Sequence, residues 1–293
     1  MDFRWPPPPD GRPEQPPVSR GPRSGRPTMP TPPTELVATP HGVELEVLDS
    51  GSGAPVTVFA HGLGQGITET RPLGSGVIGR KIFPHLRGHG RSGAPGGTWT
   101  YADLARDLRA VADLTGATRA LGISLGAAAL ARLVADNPTR FERLVFFLPA
   151  VLDKPRPAAS RARLEALLAA VEEQDPSAIA EAVTPEIPAP MRGSSASWAY
   201  LRQRVDHLMH FGLGAGLASL PDEVPVPDPA VLSAVTVPAL VIGARGDDLH
   251  PHEVARALAD ALPQAELHIY DRPGVLWTER ADLRERVASF LNA

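Results

Sequence analysis

The sequence of 293 residues suits one large α/β domain that carries an insertion, and its hydrophobic content of 43% permits a substantial core. A formal net charge of -4 with few aromatic side chains argues against nucleic-acid binding, which needs a concentrated basic surface with stacking partners. The absence of cysteine excludes disulfides, metal thiolates and a thiol nucleophile.

Residues 1 to about 35 are rich in proline, carry scattered arginines and show almost no apolar periodicity. Such a segment cannot bury enough apolar surface to offset the entropy of ordering it. We therefore predict a disordered tail over 1–35. The proline run at 6–9 is also compatible with a polyproline ligand for a partner protein.

From about residue 36, apolar strand-like runs alternate with amphipathic helical runs, which favours a mainly parallel sheet covered by helices on both faces. The first part predicts strands Val43–Leu48, Pro55–Ala60, Arg80–His85, Thr118–Gly122 and Arg143–Leu148, and helices Tyr101–Leu114 and Leu125–Asn137. The last part predicts strands Pro238–Gly243 and Glu266–Tyr270, and helices Pro251–Leu262 and Glu279–Leu291.

The strand pattern disappears between about 152 and 236. This stretch contains two amphipathic helical runs, Ala162–Val171 and Ser197–Phe211, separated by proline-rich loops. We predict an inserted helical cap at about 152–236 within a domain that spans 36–293.

Neither export nor membrane insertion is predicted. No apolar run approaches the ~18 residues of a membrane span, and the N-terminus lacks the apolar segment of a signal peptide. We expect a cytoplasmic protein that acts on a small molecule and has no membrane or nucleic-acid partner. The oligomeric state is left open.

Ser124 is the strongest candidate for a nucleophile. It lies in Gly122-Ile123-Ser124-Leu125-Gly126, between a predicted strand and a predicted helix. In a nucleophile elbow this context holds the serine in a strained turn with its hydroxyl clear of the sheet, and the glycines let neighbouring backbone pass closely. The alternative is a glycine-bounded turn with a capping serine, because so short a pattern also arises by chance.

Three further segments make the chain from about 40 to 292 resemble the α/β-hydrolase fold family. His61-Gly62 follows a predicted strand, as in the family's oxyanion turn. Arg87–Ser92 resembles the loop after the fourth strand, with His85 where the family usually has an aspartate, and Ile242–Asp247 resembles the loop that bears the acid of the catalytic triad.

The resemblance implies Ser124 as nucleophile and Asp247 as the acid of the triad. It also implies that the backbone amides of Leu63 and Leu125 hold the oxyanion that develops when a carbonyl is attacked. Asp153, soon after the predicted strand that ends at Leu148, is a second location for a triad acid in this fold, although a helix cap or a solvated loop residue is the commoner role.

The family's catalytic histidine normally follows the last strand, but Val275 occupies that position. A valine cannot accept the serine proton, so Ser124 would remain a poor nucleophile at neutral pH. A substitute base requires an imidazole nitrogen within ~3–4 Å of the Ser124 hydroxyl. The candidate histidines are His61, His85, His89, His207, His210, His250, His252 and His268. For most of these histidines, the alternative to a catalytic role is an ordinary structural role. For His250 and His252, that structural role would be capping of the following helix.

Two weaker patterns are rejected. Gly74–Gly79 matches GxGxxG, but a predicted strand follows it where a dinucleotide site requires a helix. Asp247 and Asp248 are adjacent, so their side chains diverge, and no His/Glu cluster with metal-ligand spacing accompanies them. We expect no cofactor and no metal.

The best interpretation of the sequence is hydrolysis of a carboxylic ester or related acyl compound through Ser124. One alternative is a catalytically degenerate protein of this fold that binds a small ligand without turnover. Another is cofactor-free chemistry that uses the oxyanion turn alone. Whether an imidazole reaches Ser124 separates the first interpretation from the second.

Overall fold

The computed structural model describes residues 33–210 and 214–293, and its centre is one eight-stranded sheet. The strands are β1 Glu35–Ala38, β2 Glu44–Ser50, β3 Val56–Ala60, β4 Arg80–Pro84, β5 Arg119–Ile123, β6 Arg143–Phe147, β7 Ala239–Ala244 and β8 Ala265–Tyr270. Their order in the sheet is β1-β2-β4-β3-β5-β6-β7-β8. Strands β3 to β8 pair in parallel, whereas β1 and β2 form an antiparallel edge. The predicted mainly parallel sheet is confirmed.

The described helices are α1 Ile67–Thr70, α2 Tyr101–Thr115, α3 Leu125–Asp136, α4 Ala158–Glu172, α5 Pro176–Val183, α6 Ser195–His210, α7 His252–Ala261, α8 Val275–Thr278 and α9 Arg280–Asn292. Apolar side chains of α2, α3 and α7 pack on one face of the sheet, and those of α9 pack on the other. The predicted layering of helices on both faces is therefore correct. None of the described helices has the length and apolarity to cross a membrane.

Strand β1 was not predicted, because three of its four side chains are exposed and it has no apolar pattern. Its first residue, Glu35, belongs to the stretch that was predicted to be a disordered tail, as do Pro33 and Thr34, which the structure also describes. The remaining part of that stretch, residues 1–32, lies outside the described residues.

Helices α4, α5 and α6 lie between β6 and β7, in the stretch predicted to be a helical insertion. They pack on one another and share an apolar cluster with the sheet domain, in which Leu167 and Val205 of the insertion join Leu86 and Leu125. Helix α5 was missed because it is only eight residues long. Its start did carry a signal, since the Asp175 side chain accepts hydrogen bonds from two amides of the first turn.

The carboxyl ends of the parallel strands bring the family-like motifs to one edge of the sheet. Ala60 at the end of β3 pairs with Gly122 near the end of β5, and β7 ends two strands further along. The segments that follow these strands carry His61, Ser124 and Asp247, so the motifs meet although they are far apart in sequence.

Candidate active site

Ser124 lies in the turn between β5 and α3 with φ 48° and ψ -104°. This is a left-handed conformation that costs a non-glycine residue of order 1–3 kcal/mol, and such strain concentrates at functional sites. The turn is tightly packed: a Cβ at Gly122 would collide with the carbonyl of Gly126, and one at Gly126 would collide with the carbonyl of Ala60. The two glycines therefore supply the clearances that an elbow needs.

The variant Gly126→Ala is expected to lower the free energy of unfolding by about 1–3 kcal/mol, because an overpacked site must displace its neighbours and here the neighbour is backbone. Urea denaturation followed by circular dichroism measures this. Gly96→Ala is the matched control, since a Cβ there meets nothing within 4 Å. It should change the unfolding free energy by less than about 0.5 kcal/mol. Equal stabilities of the two variants would contradict the expectation.

His250 connects Ser124 to Asp247. Its Nε2 lies 2.9 Å from Ser124 Oγ, and its Nδ1 lies 3.1 Å from Asp247 Oδ2. An ionised carboxylate can only accept, so Nδ1–H donates to Asp247, and a neutral ring then presents the Nε2 lone pair to the serine hydroxyl. The hydroxyl of Ser124 thus has a proton acceptor in hydrogen-bond contact.

Asp247 is held ionised where it meets the imidazole. Burial raises the pKa of this carboxyl, but His250 and two backbone amides reverse that effect, and the net pKa lies below its ordinary value. The amides are those of Leu249 and His250, each 3.1 Å from Asp247 Oδ1. The tight Asp247-to-His250 turn therefore orients both the acid and the ring.

Val275 lies where the resemblance places a histidine, and His250 comes from a different loop. Val275 starts α8, is almost completely buried and lines the same cavity as Ser124. His250 belongs to the β7–α7 connection, one strand earlier. The alternative of helix capping is wrong for His250, because α7 begins at His252 after Pro251 and has no side-chain cap.

Three other candidate histidines have both ring nitrogens engaged in structural contacts. His61 contacts the Gly62 carbonyl and accepts from the Leu86 amide, and His89 contacts the Arg87 carbonyl and accepts from the Gly64 amide. Burial lowers the pKa of both, to about 3 for His89, so each serves as a neutral acceptor. His85 likewise accepts from the Ile67 amide through Nε2.

The remaining histidines make contacts elsewhere. His207 lies 3.6 Å from Glu69, and His252 lies 3.3 Å from Glu253. The backbone oxygen of Asp206 accepts a hydrogen bond from His210, and His268 packs edge-on against Tyr270. Asp153, the second predicted location of a triad acid, lines a separate depression beside Pro229.

The aspartate that is absent at His85 is replaced by Glu46 on β2. His85 Nδ1 lies 2.8 Å from Glu46 Oε2, which also accepts from the Arg91 amide at 2.8 Å. Glu46 Oε1 accepts from the Arg91 side chain and from Thr34. Burial raises the pKa of Glu46, but these hydrogen bonds outweigh burial and bring it to about 2. A carboxylate from another strand therefore holds this loop.

The depressed pKa of Glu46 predicts a pH-dependent contribution to stability. Because the folded-state pKa lies below the unfolded-state value, the ionised group stabilises the fold by about 3 kcal/mol above pH ~4.5, and this is lost as the pH falls towards 2. We expect Glu46→Gln to reduce stability strongly at pH 7 and much less near pH 3. Denaturant titrations at both pH values measure this, with the exposed Glu44→Gln as control. If Glu46→Gln lowered the free energy of unfolding equally at both pH values, the expectation would be contradicted.

The predicted oxyanion turn lies against Ser124. A Cβ on Gly62 would be 3.5 Å from the Ser124 Cβ, and both Leu63 and Leu125 line the cavity at the serine. The Gly62 amide is 3.2 Å from the Gln65 side-chain oxygen, which braces the turn.

Arg204 on α6 ties the helical insertion to this turn, and sequence reasoning missed it. The buried guanidinium donates to the carbonyls of Leu63, at 2.8 Å, and Gly64. It also pairs with Glu186 at 3.1 Å, and the Tyr200 hydroxyl donates to the same carboxylate. Arg204 and Gly64 are 140 residues apart, and no local pattern signals such a contact.

The serine opens into a cavity of about 800 Å³ between the sheet edge and the insertion. Its walls include Leu148 and Val275 from the sheet domain and Leu164 and Ile187 from the insertion. This volume is in the range of sites that enclose small organic molecules. The described segments contain no group of three His, Asp or Glu side chains that could hold a metal ion.

Known proteins share this sequence pattern and architecture. The model of the serine aminopeptidase S33 family matches residues 55–274. The RutD protein of Variovorax paradoxus, provisionally named a carbamate hydrolase, is 32% identical over 200 residues, which cover 67% of this chain and 74% of that protein. The enol-lactonase from Burkholderia xenovorans LB400 has a TM-score of 0.75 at 25% identity, covering 88% of this chain and 100% of that one. An esterase from Exiguobacterium antarcticum, EaEST, has a TM-score of 0.73 at 18% identity, covering 88% and 99%. The chain therefore belongs to the α/β-hydrolase family.

Proposed function

We propose that the protein hydrolyses a carboxylic ester or a related acyl compound with Ser124 as nucleophile, His250 as general base and Asp247 as the orienting acid. The observation that carries the proposal is the unbroken contact series from Ser124 Oγ through the His250 ring to Asp247. Ser, Asp and His follow one another in the same chain order as in the family.

In the first half of the proposed reaction, Ser124 Oγ attacks the substrate carbonyl carbon while its proton passes to His250 Nε2. The carbonyl oxygen becomes an oxyanion, which the amides of Leu63 and Leu125 stabilise; loss of one such donor costs about 2.7–4 kcal/mol in a model enzyme. The imidazolium then gives its proton to the leaving alcohol as the C–O bond breaks. An acyl group remains on Ser124.

In the second half, a water molecule attacks the acyl carbon and gives its proton to His250. The tetrahedral intermediate collapses, the Ser124 oxygen leaves and takes the proton back, and the free acid departs. Asp247 stays ionised throughout and stabilises the transient imidazolium.

We also propose that the helical insertion acts as a cap over the nucleophile. The contributions of Leu164 and Ile187 to the cavity support this, as does the contact of Arg204 with the oxyanion turn. A cap of this kind would exclude water from the oxyanion and select the substrate by its shape.

The test combines labelling and turnover. An active-site-directed fluorophosphonate should modify Ser124 of the native protein, as located by peptide mass spectrometry, and a panel of short-chain 4-nitrophenyl esters should be hydrolysed. Ser124→Ala should abolish both. Labelling or turnover that persists in Ser124→Ala would defeat the serine assignment. Absence of both in the native protein would favour the degenerate binding protein.

A further inference from the structure

The cavity is positively charged although the whole chain is net negative. Among the described residues, six arginines and four carboxylates line it, against a formal net charge of -4 for the complete chain. The Glu186 carboxylate is paired with Arg204, and Asp247 is paired with His250. Glu69 accepts hydrogen bonds from the Gly66 amide and Gln203. Asp248, the fourth carboxylate, is exposed. The positive charge is thus concentrated where a substrate would lie.

Five of these arginines have no ion pair with a carboxylate in the part of the chain that the structure describes. They are Arg156, Arg163, Arg192, Arg280 and Arg284. The last three are exposed at the rim of the cavity, whereas Arg156 and Arg163 are half-buried. Exposed arginines at a cavity mouth raise the local concentration of anions. Half-buried arginines bind an anion more strongly, because solvent and salt screen their charge less.

Arg163, on α4, is the most incompletely satisfied of the set. Its Nε and Nη2 are both inaccessible, and neither has a hydrogen-bond partner. Nη1 and Nη2 of Arg156 contact the Ala150 carbonyl and the Tyr101 hydroxyl at 3.4 and 3.3 Å, but its buried Nε has no partner. A buried N–H donor without an acceptor is costly, and the cost is larger when the group is charged.

The neighbouring carboxylate of Glu186 does not neutralise Arg163. Glu186 lies close enough for Arg163 to lower the pKa of its carboxyl, but burial, which raises it, and Arg204, which lowers it, act more strongly. Both Glu186 oxygens lie within 3.2 Å of Arg204 nitrogens. One of these oxygens, Oε2, also accepts a hydrogen bond from the Tyr200 hydroxyl. Taken together, the side chains of Arg163, Arg204 and Glu186 carry a net charge of +1 at the cavity.

We propose that Arg163, assisted by Arg156, forms a subsite for a carboxylate, so that the substrate is an acyl compound that carries a second, ionised carboxyl group. Arg163 lines the cavity, so a rotation of its side chain would turn the guanidinium towards a ligand, and the planar group would then offer two parallel N–H donors that match the two oxygens of a carboxylate. This inference rests on the proposed function for the identity of the substrate as an acyl compound, but the anion subsite itself does not depend on turnover.

The test compares matched anionic and neutral esters. For a carboxylate on the acyl side the pair is monomethyl adipate and methyl hexanoate, followed by pH-stat titration. For a carboxylate on the leaving side the pair is 4-acetoxybenzoate and its methyl ester, followed by absorbance. The native protein should prefer the anionic member of one pair, and the preferred pair identifies the side of the ester that faces Arg163.

Arg163→Gln should lower kcat/KM for the preferred anionic ester by about 10- to 100-fold, the range expected for hydrogen bonds to a charged group. It should change kcat/KM for the neutral partner by less than about 3-fold, since the variant leaves the remaining groups in place. Arg163→Lys should retain part of the preference, because it keeps the charge but loses the fork. Arg161→Gln is the matched control: Arg161 is on the same helix but is paired with Glu165 and Asp222.

Calorimetric titration with adipate separates this inference from the proposed function. Turnover of the neutral esters without any anionic preference, unchanged in Arg163→Gln, would overturn the subsite and leave the proposed function standing. Absence of ester turnover with adipate binding that Arg163→Gln weakens about 10-fold would support the subsite while the proposed function fails. No turnover and equal adipate binding by both proteins would overturn both. Should Arg163→Gln not fold, Arg163→Lys carries the same comparison.

Discussion

Replacing His250 with glutamine is expected to lower kcat for a neutral ester by about 10⁴- to 10⁶-fold, as loss of the base does in a model serine protease. Glutamine preserves a hydrogen-bonding side chain of similar reach but cannot take up the Ser124 proton. The Nε2 contact of 2.9 Å with Ser124 Oγ is the physical reason for so large an effect. Steady-state and single-turnover kinetics of the purified variant provide the measurement.

Two variants accompany this experiment. His252→Gln is the matched control, because His252 lies two residues further on, begins α7 and contacts Glu253 instead of the serine. It should retain kcat within about 2-fold, as a surface substitution away from the site would. Val275→His restores an imidazole at the family's usual position, and combined with His250→Gln it tests whether that position can still supply a base. Full activity of His250→Gln alone would show that the base lies elsewhere.

Replacing Arg204 with methionine is expected to lower the free energy of unfolding by about 3–5 kcal/mol, because the partly buried Glu186 carboxylate, with a side chain 19% exposed, loses its charge partner. Arg204 is only 4% exposed, so solvent cannot compensate. The same variant should lower kcat by roughly 10-fold or more, because the carbonyls of Leu63 and Gly64 lose the donor that holds the proposed oxyanion turn. Small misplacements of catalytic groups are costly. Urea denaturation and ester kinetics measure the two effects.

The double variant Arg204→Met/Glu186→Gln separates the effect of Arg204 on stability from its effect on kcat. Removing the charge of Glu186 should return most of the lost stability, because an apolar or neutral replacement of both partners avoids an unpaired buried charge. It should not restore kcat, because the contact with the turn is still missing. Recovery of both stability and kcat in the double variant would mean that Arg204 affects activity only through stability. The turn at Leu63 and Gly64 would then keep its geometry without the Arg204 contact.

Features that depend on a short stretch of chain were predictable from the sequence, whereas features that depend on distant contacts were not. The strands and the long helices were predictable because their apolar periodicity is local, and the observed ends of α2 and α3 differ from the prediction by at most one residue. Strand β1 and helix α5 escaped because they are short, and β1 also shows little buried apolar surface. Ser124 was identifiable because its strand–turn–helix context and flanking glycines are contained in five residues.

From the sequence, the choice of a base for the proposed reaction could only be narrowed to a set of histidines. Residues 247–250 read as an Asp-x-x-His turn, but that spacing also suits a helix cap, and it says nothing about Ser124, 126 residues away. The parallel pairing of β5, β6 and β7 decides the matter, because it brings the ends of β5 and β7 to the same edge of the sheet. The direction of the His250 ring is then set by the amides and carboxylate of its own turn.

The sequence by itself determined the fold, and it singled out Ser124, the His61-Gly62 turn and the loop of Asp247 as candidates, because each depends on local periodicity or on a short motif with steric requirements. Only the tertiary structure decided which histidine meets Ser124, which carboxylate pairs with His85, and which residue of α6 contacts the carbonyls of Leu63 and Gly64. Those contacts join side chains that are tens to more than a hundred residues apart. Their geometry depends on strand order and on the packing of the insertion, which no local pattern encodes.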